Sequence, residues 1–253
     1  MAGRLESKVV VVTGGSSGIG RAVAERVADE GAAVVIGARR EDVGERAAEA
    51  IRDKGGQALY VATDVTVEAE VATLVAAAVT EFGRLDGAFN NAGDVSAFGP
   101  VQAVAAESWH ADVEVNLTGV FYSLKHEIPA ILAAGGGAVV NNASNAGAVG
   151  VGGMAPYVAA KHGVVGLTRA TAMECAEGGV RVNALITGNV DTPLYRSLVG
   201  ASAEDELDGR APNPIGRMAA PEEIAAFVAF LLSDEAAFIT GAALAIDGGF
   251  TAQ

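Results

Sequence analysis

Two hydrophobic periods trade places along this chain, and that exchange restricts its fold more than any other feature. Short, nearly unbroken aliphatic runs alternate with longer amphipathic stretches from residue 9 onward. Val9 to Thr13, Ala33 to Gly37, Ala58 to Ala62, Leu85 to Asn90, Ala138 to Asn142, Val180 to Ile186 and Ala242 to Asp247 read as strands. They lack polar alternation, which suits parallel strands covered on both faces. Helical periodicity fills the intervals: Gly18 to Glu30, Glu41 to Lys54, Val67 to Phe82, Ala111 to Ala133, Pro156 to Ala176 and Pro221 to Leu232. Glycines such as Gly31, Gly55-Gly56, Gly83 and Gly178-Gly179 supply the stops. Repeated β-α-β units with right-handed crossovers predict an α/β fold: a doubly wound, seven-stranded parallel sheet with helices on both faces, one domain over 1–253. Thr187 to Met218 breaks the pattern. It is punctuated by Gly and Pro and acidic at Glu204-Asp205-Glu206, so a flap over 187–218 is expected.

Composition narrows the function. Hydrophobic residues make up 51% of the 253 and aromatics only 5%, so small aliphatics must do the packing. A formal charge of −14 excludes a nucleic-acid partner, which needs clustered Lys and Arg. Any phosphate-bearing ligand must be held by local features against that field. Cys175 is the only cysteine, so an internal disulfide and a thiolate metal cluster are both excluded, and its apolar helical setting reads as a buried structural thiol. His110, His126 and His162 fall on different elements without metal-ligand spacing, and no metal is expected. Met1 to Lys8 has no apolar signal core and no later run approaches a span of ~20 residues, so no membrane partner and a cytoplasmic location are expected.

The first strand runs straight into Gly14-Gly15-Ser16-Ser17-Gly18-Ile19-Gly20, and a helix follows. Glycines there let the backbone approach a pyrophosphate, whose charge the free N–H groups and the helix dipole stabilise. The spacing is G-x-x-x-G-x-G rather than the usual G-x-G-x-x-G, yet its place at the first β-α junction favours dinucleotide binding on a Rossmann-type sheet. The end of the second strand tests which dinucleotide. A carboxylate would bind the ribose hydroxyls of NAD, whereas Arg39-Arg40 follows Gly37-Ala38 here, and arginine pairs with the extra phosphate of NADP. NADP(H) is therefore favoured, with NAD(H) possible if both arginines only face solvent. Asp64 and Val65 after strand three, and Asn91-Ala92-Gly93 after strand four, are candidates to line the adenosine, or simply caps and turns.

Tyr157 and Lys161, spaced i and i+4, share one helix face. A phenol is too weak an acid at neutral pH, and a neighbouring ammonium is expected to lower its pKa, making a general acid/base pair. Pro156 suits the first helical turn and puts Tyr157 near the helix start.

Taken together, Thr13 to Gly20, Asn90-Asn91-Ala92-Gly93, Asn116, Ser144, Tyr157-x-x-x-Lys161 and Asp247-Gly248-Gly249 resemble the short-chain dehydrogenase/reductase family in its single-domain branch. That resemblance implies hydride transfer between nicotinamide C4 and a carbonyl carbon, with Tyr157 as proton donor and Lys161 also bonding the nicotinamide ribose. It further implies that Ser144 holds the substrate oxygen, that Asn116 anchors a water linking Lys161 to solvent, and that the protein is a homotetramer. The family usually has Pro-Gly after strand six, where this chain has Thr187-Gly188. The change adds a hydroxyl and an N–H near the expected carboxamide site, with Gly188, Val190 and Thr192 still expected to reach it. Ala146, Val151, Met154, Leu194 and Leu198 are apolar and are expected to line the substrate pocket with Ser144 and Tyr157. A neutral ketone or alcohol fits such a pocket. The alternatives are an NAD-dependent dehydrogenase of a diol, polyol or sterol, and a nucleotide-sensing regulatory protein on the same fold.

Overall fold

A computed structural model describes residues 3–198 and 213–252. Seven strands form one sheet: β1 (Val9–Thr13), β2 (Ala33–Ala38), β3 (Gln57–Ala62), β4 (Gly87–Asn90), β5 (Gly137–Asn142), β6 (Val180–Thr187) and β7 (Ala243–Ile246). Their order is β3-β2-β1-β4-β5-β6-β7, and every neighbouring pair is parallel. The helices are α1 (Gly18–Asp29), α2 (Glu41–Arg52), α3 (Glu68–Phe82), α4 (Ala106–Val113), α5 (Gly119–Ala133), α6 (Ala155–Cys175) and α7 (Pro221–Leu232). Part of the expected flap, 199–212 with its acidic triplet, lies outside the described residues.

Successive side chains of a strand point to opposite faces, and β1 displays this directly. Val10 and Val12 pack with Val23 and Val27 of α1, Ile51 of α2 and Ile224 and Val228 of α7. Val9 and Val11 pack with Leu74 of α3, Leu124 of α5 and Val164 of α6. A strand buried on both faces has no polar face, which is why its sequence shows no alternation. Cys175 closes α6 as a buried thiol whose Sγ bonds the Val180 carbonyl oxygen at 3.5 Å.

The helix expected over Ala111 to Ala133 differs in detail. It begins at Ala106 behind Ala105, whose side chain cannot cap, and it is interrupted at Glu114–Thr118 by a π-helical turn. Asn116 sits in that turn, and its Nδ2 donates to the Asp112 carbonyl (2.9 Å) and the Asp94 carbonyl (2.7 Å). A side chain that occupies the carbonyl four residues back competes with the helix's own ladder and widens it. Trp109 lies on α4 and is 40% exposed.

Beneath the strand ends lies a buried polar chain. Asn90 Nδ2 donates to Glu127 Oε2 (2.9 Å) and Asn141 Oδ1 (3.0 Å), and Asn141 Nδ2 donates to Thr168 Oγ1 (2.9 Å). Glu127 Oε1 and Asn90 Oδ1 have no partner among the described residues. Two acceptors of already bonded side chains lack a donor, and a proton on Oε1 would supply one. Burial pushes the Glu127 carboxyl up to about 7, against the opposing Asn90 bond. A raised folded-state pKa means this group's stability contribution is complete below the ordinary value near 4.5 and is lost as pH rises through 7. Glu127→Gln carries a permanent donor and no charge. Its melting temperature is expected to match the parent's near pH 5 and exceed it by several degrees at pH 8, where the ionised glutamate costs roughly 3 kcal/mol. Thermal melts across that range check this; a constant offset would contradict it.

Candidate active site

The strand order reverses between β1 and β4, so the crossovers on either side leave opposite faces and a crevice opens at the carboxyl edge. A cleft of about 720 Å³ lies there. From the β1 side it is lined by Gly14, Ser16, Ser17, Gly18 and Ile19, with Arg39, Arg40, Asp64 and Val65 toward β2 and β3. Asn91, Ala92 and Gly93 follow β4, and toward β5 and β6 lie Ser144, Tyr157, Lys161, Gly188, Thr192 and Leu194. Gly14 (φ +66°) and Gly18 (φ +53°) adopt left-handed backbone that favours glycine. Gly20 is buried outside the lining; a Cβ there would overlap the Gly14 carbonyl oxygen, so this glycine lets α1 close onto the loop. A Cβ on Gly18 would lie 3.2 Å from Thr192 Cγ2, which brings the flap against the glycine loop.

The cleft fits a dinucleotide at several points. The N-cap of α1, Ser17, makes no capping bond, and the first turn carries no acid, so the positive helix end is left bare. Arg39 and Arg40 are exposed at the end of β2, and neither guanidinium has a hydrogen bond or ion pair among the described residues. Arg40 contributes only a downward pull on the Asp42 carboxyl, which is dominated by Arg46. Asp64 is partly committed, since its Oδ1 accepts from the Thr66 amide (3.0 Å) and hydroxyl (2.8 Å).

At the other end Ser144 follows β5, and its Oγ donates to Asn145 Oδ1 (3.0 Å) and accepts from the Ala146 amide (3.2 Å). Tyr157 stands in the first turn of α6 behind Pro156, and Lys161 lies one turn on with its Nζ 5.5 Å from the phenol ring centre. Nζ donates to the Asn142 carbonyl oxygen at 3.0 Å. The lysine does not lower the phenol's pKa as the i, i+4 spacing predicts. Burial raises the Tyr157 phenol, opposed by a hydrogen bond with Ser144 and reinforced by the charge of Asp112. Burial also pulls Lys161, 3% exposed, down to about 8. Asn116 is fully buried beside Gly93, its Oδ1 accepting the Asp94 amide at 3.3 Å, so it borders the site from behind rather than lining it.

Several expected residues stand elsewhere. Ala146 is buried beneath its own turn, so it meets Ser144 through its amide and not through a cleft-facing methyl. Val151 lines a separate shallow depression with Val158 and His162, because the 150–153 glycines carry the chain outward. Met154 and Leu198 are half-buried outside the cleft lining. Val190 is buried in the core and bridges to Ala219, which directs its side chain away from a ligand. Arg196 is held by Asp191 at 2.6 and 2.7 Å. His126 faces Glu68, His162 bonds its own helix, and no group of metal-ligating side chains occurs among the described residues. No described helix is long and apolar enough to cross a membrane. Sequence reasoning missed Asp94, Asn142 and the Thr187 side chain as cleft residues, and Asp112 as a charge acting on Tyr157. The polar pair Asn141-Asn142 ending an aliphatic strand was the available signal.

Known proteins agree with this geometry. The profile of the family described as Enoyl-(Acyl carrier protein) reductase matches residues 14–251. A cis-4-hydroxycyclohexanecarboxylate dehydrogenase of Sinomonas cyclohexanicum is 48% identical over 248 residues, covering 97% of each chain. A cyclohexanol dehydrogenase of Acinetobacter sp. (strain SE19) is 40% identical over 253 residues, covering 100% of this chain and 98% of that one. Among solved structures, an actinorhodin polyketide ketoreductase variant with NADPH superposes with a TM-score of 0.92 at 40% identity, covering 99% of each chain. With Gly14, Gly18, Ser144, Tyr157 and Lys161 lining one cleft and whole-length relatives of this kind, the chain belongs to the short-chain dehydrogenase/reductase family of NAD(P)-dependent oxidoreductases.

Proposed function

We propose that the protein is an NADPH-preferring reductase of neutral cyclic ketones, running in reverse as a dehydrogenase of the corresponding secondary alcohols. The observation that carries this reading is one continuous cleft with two unpaired guanidinium groups toward one end and Ser144, Tyr157 and Lys161 toward the other. In a chain of net charge −14, unpaired arginines beside a bare helix terminus are suited to a polyanionic ligand. A bound nicotinamide would supply hydride chemistry at its C4. Tyr157 holds the proton for the developing alkoxide, and Ser144 positions the substrate oxygen beside that phenol. Lys161 keeps its Nζ 5.5 Å from the phenol ring centre and would bond the ribose of a bound nicotinamide nucleotide. Asn116, buried behind Gly93, shapes the helix turn that backs this end, and Thr192 and Leu194 close it from the flap.

Cyclic substrates are suggested by the relatives named for cyclohexanol and hydroxycyclohexanecarboxylate. A neutral ring is preferred here because Asp94 lines the cleft near Ser144, and the cations toward that end are already engaged, Lys161 by Asn142 and Arg196 by Asp191. A homotetramer and a cytoplasmic location are carried over as part of the same proposal.

Tyr157→Phe is expected to retain cofactor binding while turnover of a ketone such as cyclohexanone falls by about 10²- to 10⁴-fold, the usual value of a positioned acid. Nicotinamide absorbance with a fluorescence binding titration checks both halves; unchanged turnover would refute the assignment. For the cofactor, kcat/KM is expected to be higher with NADPH than with NADH. Replacing Arg39 and Arg40 by Ala should cost about 10- to 100-fold per lost charge-assisted bond with NADPH and little with NADH. A parent enzyme that favours NADH would overturn this part and leave the alcohol–ketone chemistry standing.

A further inference from the structure

Thr187, Asn142 and Asn91, ending β6, β5 and following β4, are joined edge to edge across the carboxyl ends of the sheet. Thr187 Oγ1 donates to Asn142 Oδ1 (2.6 Å), Asn142 Nδ2 donates to Asn91 Oδ1 (3.0 Å), and Asn91 Nδ2 donates to the Thr13 carbonyl oxygen (3.2 Å). The direction of this chain is forced. A backbone carbonyl only accepts, so Asn91 must turn its NH₂ to Thr13 and its oxygen to Asn142. Asn142 must answer with its own NH₂, which leaves its oxygen facing β6 and in need of a donor. Thr187 provides a hydroxyl there; a proline would provide none, and the amide oxygen of half-buried Asn142 would lose its only protein donor among the described residues. The residue that departs from the family's usual Pro-Gly is thus the one that Asn142 requires.

The main-chain carbonyl of this same Asn142 receives the Lys161 ammonium, in the single hydrogen bond that Nζ makes among the described residues. We propose that Asn142 and Thr187 are a matched pair of positioning residues for Lys161: the side chains lock the end of β5 between its neighbours, and the locked carbonyl sets where the ammonium stands. Neither residue exchanges a proton with substrate. Their effect passes through the lysine. The ionisable groups around that lysine are Tyr157 on the same helix, Asp112 of α4, which acts on Tyr157, and Asp94 of the loop after β4, next to Gly93, where a Cβ would lie 3.6 Å from Nζ. Loss of the carbonyl's fixed position weakens the bond to the charged form and lowers the lysine's titration midpoint further.

The role rests on the proposed function only for the kinetic arm of its test. In ligand-free protein, ¹³C resonance of the lysine side chains follows Lys161 directly. Thr187→Val, which keeps the shape and deletes the donor, is expected to lower the Lys161 midpoint, and Asn142→Ala to lower it as much. The double variant should be no worse than Asn142→Ala alone in midpoint or melting temperature, because one bond is lost once. Thr187→Ser restores the donor and should recover most of the loss seen with Val. In the loaded enzyme, Thr187→Val should lower kcat about tenfold while NADP⁺ affinity changes less than about threefold. A Lys161 midpoint that does not move in Thr187→Val, or losses that simply add in the double variant, would overturn the pairing and leave a structural role only. If the parent turns over no ketone, the proposed function fails, while the resonance and melting arms still decide this inference. If Asn142→Ala does not fold, the Thr187→Val and Thr187→Ser comparison decides it alone.

Discussion

The pairing of β1 with β4 is the contact on which everything else depends. Strand order reverses there, and the crossovers on either side diverge to opposite faces, opening a crevice at the carboxyl edge. Beyond the strand ladder, Thr13 fastens the seam: its Oγ1 accepts the amides of Asn91 (3.0 Å) and Ala92 (3.2 Å), and its carbonyl oxygen accepts from Asn91 Nδ2 (3.2 Å). That clamp sets the strand-four loop beside the glycine loop, and Gly20 lets α1 approach closely enough for its bare terminus to face the cleft. The two-sided aliphatic packing of the sheet below keeps this edge rigid.

Electrostatics then distinguish the two ends of the cleft. In an acidic protein, a helix end without an acid and two arginines without partners among the described residues give one end of the cleft a local positive potential, which suits the proposed phosphate-bearing ligand. At the other end burial acts on both members of the acid/base pair in the direction of neutrality, raising Tyr157 and lowering Lys161 to about 8. At neutral pH the phenol keeps its proton, and a lysine near 8 is still mostly the ammonium. Ser144 is similarly occupied, its hydroxyl given to Asn145.

Much of this was legible in the sequence because the signals were local. Unbroken aliphatic runs marked all seven strands to within two residues at each end, and Gly14, Gly18 and Gly20 marked the tight β1-α1 turn for reasons visible residue by residue. What escaped was non-local or contrary to a local rule. The start of α4 was hidden because Ala105 is no capping residue, and the π-turn at Asn116 depends on the Asp94 carbonyl arriving from another loop. Periodicity does not tell that Ala146 turns inward or that Val151 leaves the cleft, since both lie in an irregular loop whose path the glycines set. Thr187 was read as a change near the carboxamide. Its partner sits on the neighbouring strand, and only the parallel register of β5 with β6 brings Asn142 to it.

The most direct test of the whole account follows a labelled hydrogen. With NADPH carrying deuterium at the transferable C4 position and cyclohexanone as acceptor, the account predicts deuterium on the carbinol carbon of cyclohexanol and none on oxygen. It also predicts a primary isotope effect that becomes larger or stays equal in Tyr157→Phe. Product lacking carbon-bound deuterium, or no cofactor oxidation with any cyclic ketone while the protein binds NADPH, would contradict it.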